Sequence, residues 1–172
     1  MDEMLDDGWR QDELDRLDLN LAGNAVVVNK HKDHGLIEYG SHCTHAVYIG
    51  RPTIWGNPFI MGTHGNRDTV CDYYERYLAG DMEVLGILGT RKRPVDYREV
   101  IAKLLGGALC GSILVCHCYP LRCHGDTLAR IANTAPNRHK HRAGSWVDPS
   151  VPWLESISPL KHLRDHASDD SQ

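Results

Sequence analysis

Ser112-Ile-Leu-Val-Cys116 is an unbroken apolar run, and no other feature constrains the fold as tightly. A strand without polar alternation needs cover on both faces, which places it at the centre of a parallel sheet wrapped by helices. Gly106-Gly107 precedes it and Pro120 follows, so the run is bounded. Two further β-branched runs, Ala25–Asn29 and Ala46–Gly50, read as companion strands. Gly50-Arg51-Pro52 stops the second, because proline has no N–H for a ladder.

Helical spacing fills the intervals. Val70, Tyr74, Tyr77 and Leu78 form one apolar face over Asp68–Leu78, with Asn66 or Asp68 as cap. Val100, Ile101, Leu104 and Leu105 do the same over Tyr97–Leu105, which Gly106-Gly107 ends. A last helix is expected over Asp126–Asn133, with Asp126 as its N-cap. The order β, β, α, α, β, α predicts a small Rossmann-like α/β sandwich with a mainly parallel sheet of three to five strands. The expected division is an acidic leader over 1–23, an α/β body over 24–135 and an irregular tail over 136–172. A short helix near Leu160–His166 is the one element expected in the tail.

In open α/β sheets ligands bind beyond the carboxyl ends of the strands. Two loops leave such ends here, Gly50–Asn66 and His117–Gly125. If strands 46–50 and 112–116 are parallel neighbours, both loops meet on one rim. The later loop carries Cys116-x-Cys118-x-Pro120-x-x-Cys123-His124-Gly125-Asp126. Cys123 and His124 fall at a helix start, where free N–H groups and the helix dipole favour a thiolate. Gly125 permits close approach of a backbone or ligand.

Three uses of these residues compete. The cysteines can pack as small apolar side chains while Asp126 caps the helix. Cys116, Cys118, Cys123 and His124 can bind zinc, although the spacing is not a paired CxxC. Cys118 or Cys123 can act as a thiolate nucleophile, with His124 or Arg122 in support. The earlier loop supplies Arg51 for a phosphate or carboxylate, Trp55 and Phe59 for stacking, and Asn57 for a base edge. His64-Gly65-Asn66-Arg67 precedes a helix and makes a further anion site through Arg67. The alternative for both stretches is ordinary loop packing and capping. His42-Cys43-Thr44-His45 has the look of a metal cluster but lies at the amino end of its strand, on the opposite rim.

Charge is uneven along the 172 residues. Residues 1–20 carry eight acids and two bases, so this segment is −6 and the rest of the chain is +2. The formal −4 argues against a nucleic-acid binder that uses its whole surface. The leader reads either as solvated chain or as a short amphipathic helix, since Leu5, Trp9, Leu14, Leu17 and Leu21 recur at helix-like intervals. Such a helix would dock on the body or on a protein partner. The basic run 138–142 can touch nucleic-acid phosphates. No apolar run reaches the roughly 20 residues of a membrane span, and no secretory signal is present, so a cytoplasmic, membrane-free protein with reduced cysteines is expected.

VYIGRPTIWGNPF, then GNR before a helix, then CHCYPLRCHGDTLA resembles an uncharacterised family, the domain of unknown function 4326. The resemblance covers Val26–Asn133 and falls on Arg51, Gly56, Asn57, Pro58, Arg67, Cys116, Cys118, Pro120, Cys123, His124, Gly125 and Asp126. It implies a compact Rossmann-like domain, common in phages and bacteria, with nucleotide- or nucleic-acid-linked biology. It supplies no reaction.

The leading expectation is an enzyme acting on a nucleotide, nucleoside or modified base, of glycosyl-bond hydrolase or transferase type. Cys123, His124 and Asp126 would be catalytic. Arg51, Trp55, Asn57, Phe59, Arg67, Cys118, Arg122 and Gly125 would bind the ligand. The alternatives are a non-catalytic nucleotide sensor or phage accessory protein that binds a host component, and a small domain stabilised by zinc.

Overall fold

The computed structural model describes residues 9–42, 45–89 and 96–135. Within them lie three strands and six helices. The strands are β1 (Val26–Asn29), β2 (Ala46–Tyr48) and β3 (Ile113–Cys116). All are parallel, in the order β1-β3-β2, with Val27 and Val47 both opposite Leu114. The apolar run that heads the sequence argument is therefore the central strand, and the sheet sits at the small end of the expected range.

Side chains on a strand alternate between faces, and β3 divides its residues accordingly. Leu114 and Cys116 join a core with Val27, Ile49, Val70, Tyr74, Val100, Leu104 and Leu128. Ile113 and Val115 join a second core with Val26, Val28, Trp9, Leu17, Leu36 and Tyr39. The first core is covered by α3 (Arg67–Leu78), α4 (Met82–Ile87), α5 (Tyr97–Leu105) and α6 (His124–Thr134). The second is covered by α1 (Gln11–Leu21) and α2 (His34–His42). The connection from β1 to β2 passes over the position of β3, and the connection from β2 returns to it. Crossovers of one hand must then lie on opposite faces of the sheet, which is where α2 and α3–α5 are found.

Two helices within the body, α2 and α4, have no counterpart among the sequence expectations. Gly35 and Gly40 weaken the helical signal of α2. They are there because helix and core approach closely: a Cβ on Gly35 would come within 2.8 Å of the Trp9 ring. α1 realises the amphipathic alternative for the leader, burying Glu13, Arg16, Leu17 and Asn20. The leader from Trp9 onward thus shares a core with the body rather than standing apart. The last helix begins at His124 instead of Asp126. Cys123 is its N-cap in extended backbone, and the Asp126 carboxylate turns back to accept the Cys123 N–H at 2.8 Å. Asn66 caps α3 as expected, accepting from Thr69 N–H at 2.9 Å. No helix among the described residues is long and apolar enough to cross a membrane. Cys43, Thr44, the 138–142 basic run and the 160–166 helix lie outside the described residues.

Candidate functional site

The pairing of β2 with β3 brings the two loops to one rim, where they enclose a cavity of about 390 Å³. Arg51, Asn57, Phe59, Arg67, Cys116, Cys118, Arg122, Cys123 and His124 all line it. Three of these are guanidinium groups, and no Asp or Glu is among the lining residues. Arg122 is already engaged, reaching Asp72 at 2.5 Å and Asp68 at 3.5 Å. Arg51 and Arg67 have no carboxylate partner among the described residues.

The cysteines form the inner wall. The Sγ atoms of Cys116, Cys118 and Cys123 all lie within 4.8 Å of one another, so they can hold a metal ion. Cys116 closes the central strand, Cys123 opens α6, and Cys118 belongs to the loop between them. Cys116 and Cys123 are free thiols 2.9 Å apart at sulfur. Cys118 differs from them in the direction of its pKa shift. Hydrogen bonds from the Cys116 and Cys123 thiols hold its pKa well below the ordinary range, and Arg67 adds a hydrogen bond and its charge against the cost of burial. The same sharing raises Cys123, through Cys116 and Cys118 and then through burial. Cys116 is raised as well, first by Cys118. Of the three, Cys118 is the one whose pKa is lowered, and it is half-buried in the cavity wall.

His124 stands one step back. Its Nε2 lies 2.8 Å from the Ile49 carbonyl, which makes that nitrogen the donor and leaves Nδ1 as an acceptor. Nδ1 is 3.5 Å from Cys123 Sγ. Burial depresses the His124 pKa, keeping the ring neutral. His124 does not join the three-cysteine group. Of the four metal candidates, three converge and the fourth reaches the group only through Cys123.

Several expected ligand contacts are used for packing. Trp55 is buried in the core and does not line the cavity. Asn57 gives its amide to the Val70 carbonyl and its oxygen to the Phe59 N–H, both at 2.9 Å, tying the loop to α3. Phe59 forms a wall set among Tyr73, Tyr77 and His64. Gly125 lies outside the lining, where an added Cβ would meet Ile49 Cδ1 at 2.7 Å. Its missing side chain lets α6 begin hard against the sheet. Asp126 is exposed and committed to its cap, so the carboxylate expected at the reacting centre is not in the cavity wall.

The sequence reading passed over four residues that matter here. Tyr48 and His117 line the rim, and their hydroxyl and Nε2 lie 3.1 Å apart. His31 Nε2 approaches the other His117 nitrogen at 3.1 Å. Asn29 ends β1 beside this group. The carboxyl-end rule applied to β1 as well as to β2 and β3 would have found Asn29, since it is the polar residue that ends an apolar strand.

A family model described as "Domain of unknown function (DUF4326)" matches residues 28–134. No curated protein and no solved structure matches the chain.

Proposed function

The chain belongs to the DUF4326 family, and from its site we propose an enzyme that processes a nucleotide-like anion, with Cys118 as the reacting group. One observation carries this reading: Cys118, whose pKa is lowered, faces the same cavity as the Arg51 and Arg67 guanidinium groups, neither of which is paired with a carboxylate among the described residues. A cavity of about 390 Å³ lies within the small-ligand range of roughly 300–1,000 Å³. Arg51 and Arg67 suit a phosphate, and the Phe59 and Tyr48 rings offer apolar walls to a base or sugar. Nucleophilic displacement at an electrophilic atom of the ligand suits this centre better than carboxylate-assisted glycosyl chemistry, because Asp126 points into its own cap. A Rossmann-like ancestry agrees with the parallel sheet and with the rim position of the site. A cytoplasmic setting agrees with a chemistry that needs reduced thiols.

The test is titration of the full chain with nucleoside mono- and diphosphates, followed by NMR or calorimetry. At least one should bind, and Arg51→Ala and Arg67→Ala should each weaken it roughly 10- to 100-fold, the range for a hydrogen bond to a charged group. Absence of binding by every nucleotide at millimolar concentration overturns the reading.

The convergence of three thiols favours a second reading, zinc on Cys116, Cys118 and Cys123. Sulfur ligands around zinc sit at about 2.3 Å in a tetrahedron. The trio would supply three of the four ligands, with modest parting of Cys116 from Cys123, and the fourth would be an open position. Bound zinc would supply Lewis-acid polarisation of a ligand or water at that open position. Protein purified without chelator should then contain about one zinc per chain by elemental analysis. A content below about one tenth of that removes this reading.

A further inference from the structure

Cys116 and Cys123 are placed by regular structure, one on a central strand and one at a helix start. Cys118 is not. Its position depends on the loop that carries it, and that loop is held from outside. Asn29 Nδ2 donates to the carbonyls of His117 at 3.2 Å and Tyr119 at 2.6 Å, the two residues flanking Cys118. Asn29 Oδ1 accepts the His31 N–H at 2.8 Å, so the amide cannot turn without losing all three bonds. The Asn29 N–H donates to the Asp33 carboxylate at 2.5 Å.

Asp33 is fully buried, and Arg16 of α1 grips it through Nη1 at 2.7 Å and Nη2 at 3.0 Å. The remaining Arg16 donors go to the Asp12 carbonyl, the Asp12 carboxylate and the Val27 carbonyl. All five guanidinium N–H groups are thereby used, which fixes the plane of the group. The face of that plane lies 4.0 Å from the centre of the Tyr119 ring. Such cation–π contact is favourable, the more so away from water.

We propose that Asn29 and Arg16 are positioning residues that hold the Cys118 loop against Cys116 and Cys123. The N-terminal helix, which lies outside the matched segment 28–134, is then a working part of the site. Two contacts of different kinds support this, one to the peptide groups around Cys118 and one to the next side chain. The proposal rests on the reading of the three cysteines as one centre. It identifies a strand end and a helix as the parts that assemble that centre.

A trivalent arsenical reads thiol convergence directly. Phenylarsine oxide condenses with two nearby thiols: two As–S bonds form, the As=O oxygen leaves as water with both thiol protons, and nothing is oxidised or reduced. In a Cys116→Ser chain the pair within reach is Cys118 with Cys123. If that chain does not fold, Cys123→Ser leaves Cys116 with Cys118. The parent chain should capture the arsenical far more tightly than a single thiol does. Asn29→Ala and Tyr119→Leu should weaken capture at least tenfold, as loss of a ligand-orienting partner does at metal sites, at a temperature where circular dichroism shows them folded. Tyr119→Phe keeps the ring and should behave as the parent. Folded Asn29→Ala and Tyr119→Leu chains that capture like the parent overturn the positioning role alone. A parent that captures no better than a single thiol overturns the one-centre reading, and the positioning role with it.

Discussion

Asp33→Ala is expected to lower folding stability by about 3–5 kcal/mol, the usual result of stranding a buried charge by removing its partner. Asp33 is fully buried, with Arg16 and Arg10 paired to it and the Asn29 N–H bonded to it. Removing the carboxylate leaves the buried Arg16 with Asp12, at the edge of the site, as its one remaining carboxylate among the described residues. Total stability of a domain is about 5–15 kcal/mol, so the loss takes a large share. Urea unfolding followed by circular dichroism measures it. A loss below about 1 kcal/mol would show that Arg16 finds water or another acceptor. The sign of the pH effect follows from the same contacts. Burial opposes ionisation of Asp33, but the Arg16 hydrogen bonds, the Asn29 N–H and the two arginine charges outweigh it, so the folded pKa lies below the ordinary aspartate value. Its stabilisation is complete above that value and is lost as pH falls through the lower folded pKa. Glu13 acts in the opposite sense. Burial raises its pKa, so its protonation on acidification relieves a cost and softens the acid limb of the curve.

Cys118→Ser is expected to abolish turnover of the bound nucleotide by about a thousandfold or more, the scale seen when a nucleophile is removed. A serine hydroxyl keeps its proton at neutral pH, whereas the two thiol neighbours and Arg67 lower the Cys118 pKa and favour its thiolate. Nucleotide affinity should stay within about threefold, because in the proposed function Arg51 and Arg67, not Cys118, hold the phosphate. Product formation by chromatography and binding by calorimetry separate the two effects. The same substitution at Cys116 and Cys123 divides the readings of the cluster. If Cys118→Ser stands alone in abolishing turnover, the thiolate is the nucleophile. Equal loss in all three variants, together with loss of bound zinc, assigns the trio to the metal. Full turnover by Cys118→Ser would sink the nucleophile.

Most of the element order was legible because the body repeats strong local signals. Ile113–Val115 is apolar without alternation, and only a central strand buries both of its faces. Asn66 before the Val70, Tyr74, Tyr77 and Leu78 face marks α3 to within one residue. The signals fail where tertiary packing overrides them. α2 carries two glycines that would be poor choices in a free helix, yet Trp9 packs against Gly35 and Ile113 against Gly40. The start of α6 was misplaced because two residues can serve the same turn. Asp126 is an ideal cap by composition, but its carboxylate is better used at the third helical position, closing a capping box with Cys123.

The leader shows the same division within one segment. Its charge pattern suggests solvated chain, while its leucines suggest a docked helix. The choice fell to Asp33, which lies far along the chain and draws Arg10 and Arg16 into the interior. Nothing local to residues 1–20 encodes that partner.

By itself the sequence determined the strand order's raw material: three apolar segments, three of the four helices over the body's first core, and two loops with chemistry-bearing residues at strand carboxyl ends. It also placed Cys116, Cys118, Cys123, Arg51 and Arg67 on those loops, because period-two and helical periodicity are local properties of the chain. Only the tertiary structure decided which of these residues share a cavity, that Trp55 and Asp126 serve packing and capping, and that Cys118 is the one of the trio whose pKa is lowered. Those outcomes depend on distances between residues remote in sequence, on burial, and on which acid reaches which guanidinium. Asn29 and Arg16 make the point most sharply: each is unremarked in the sequence, and it is their contacts across the fold that give them a role in the site.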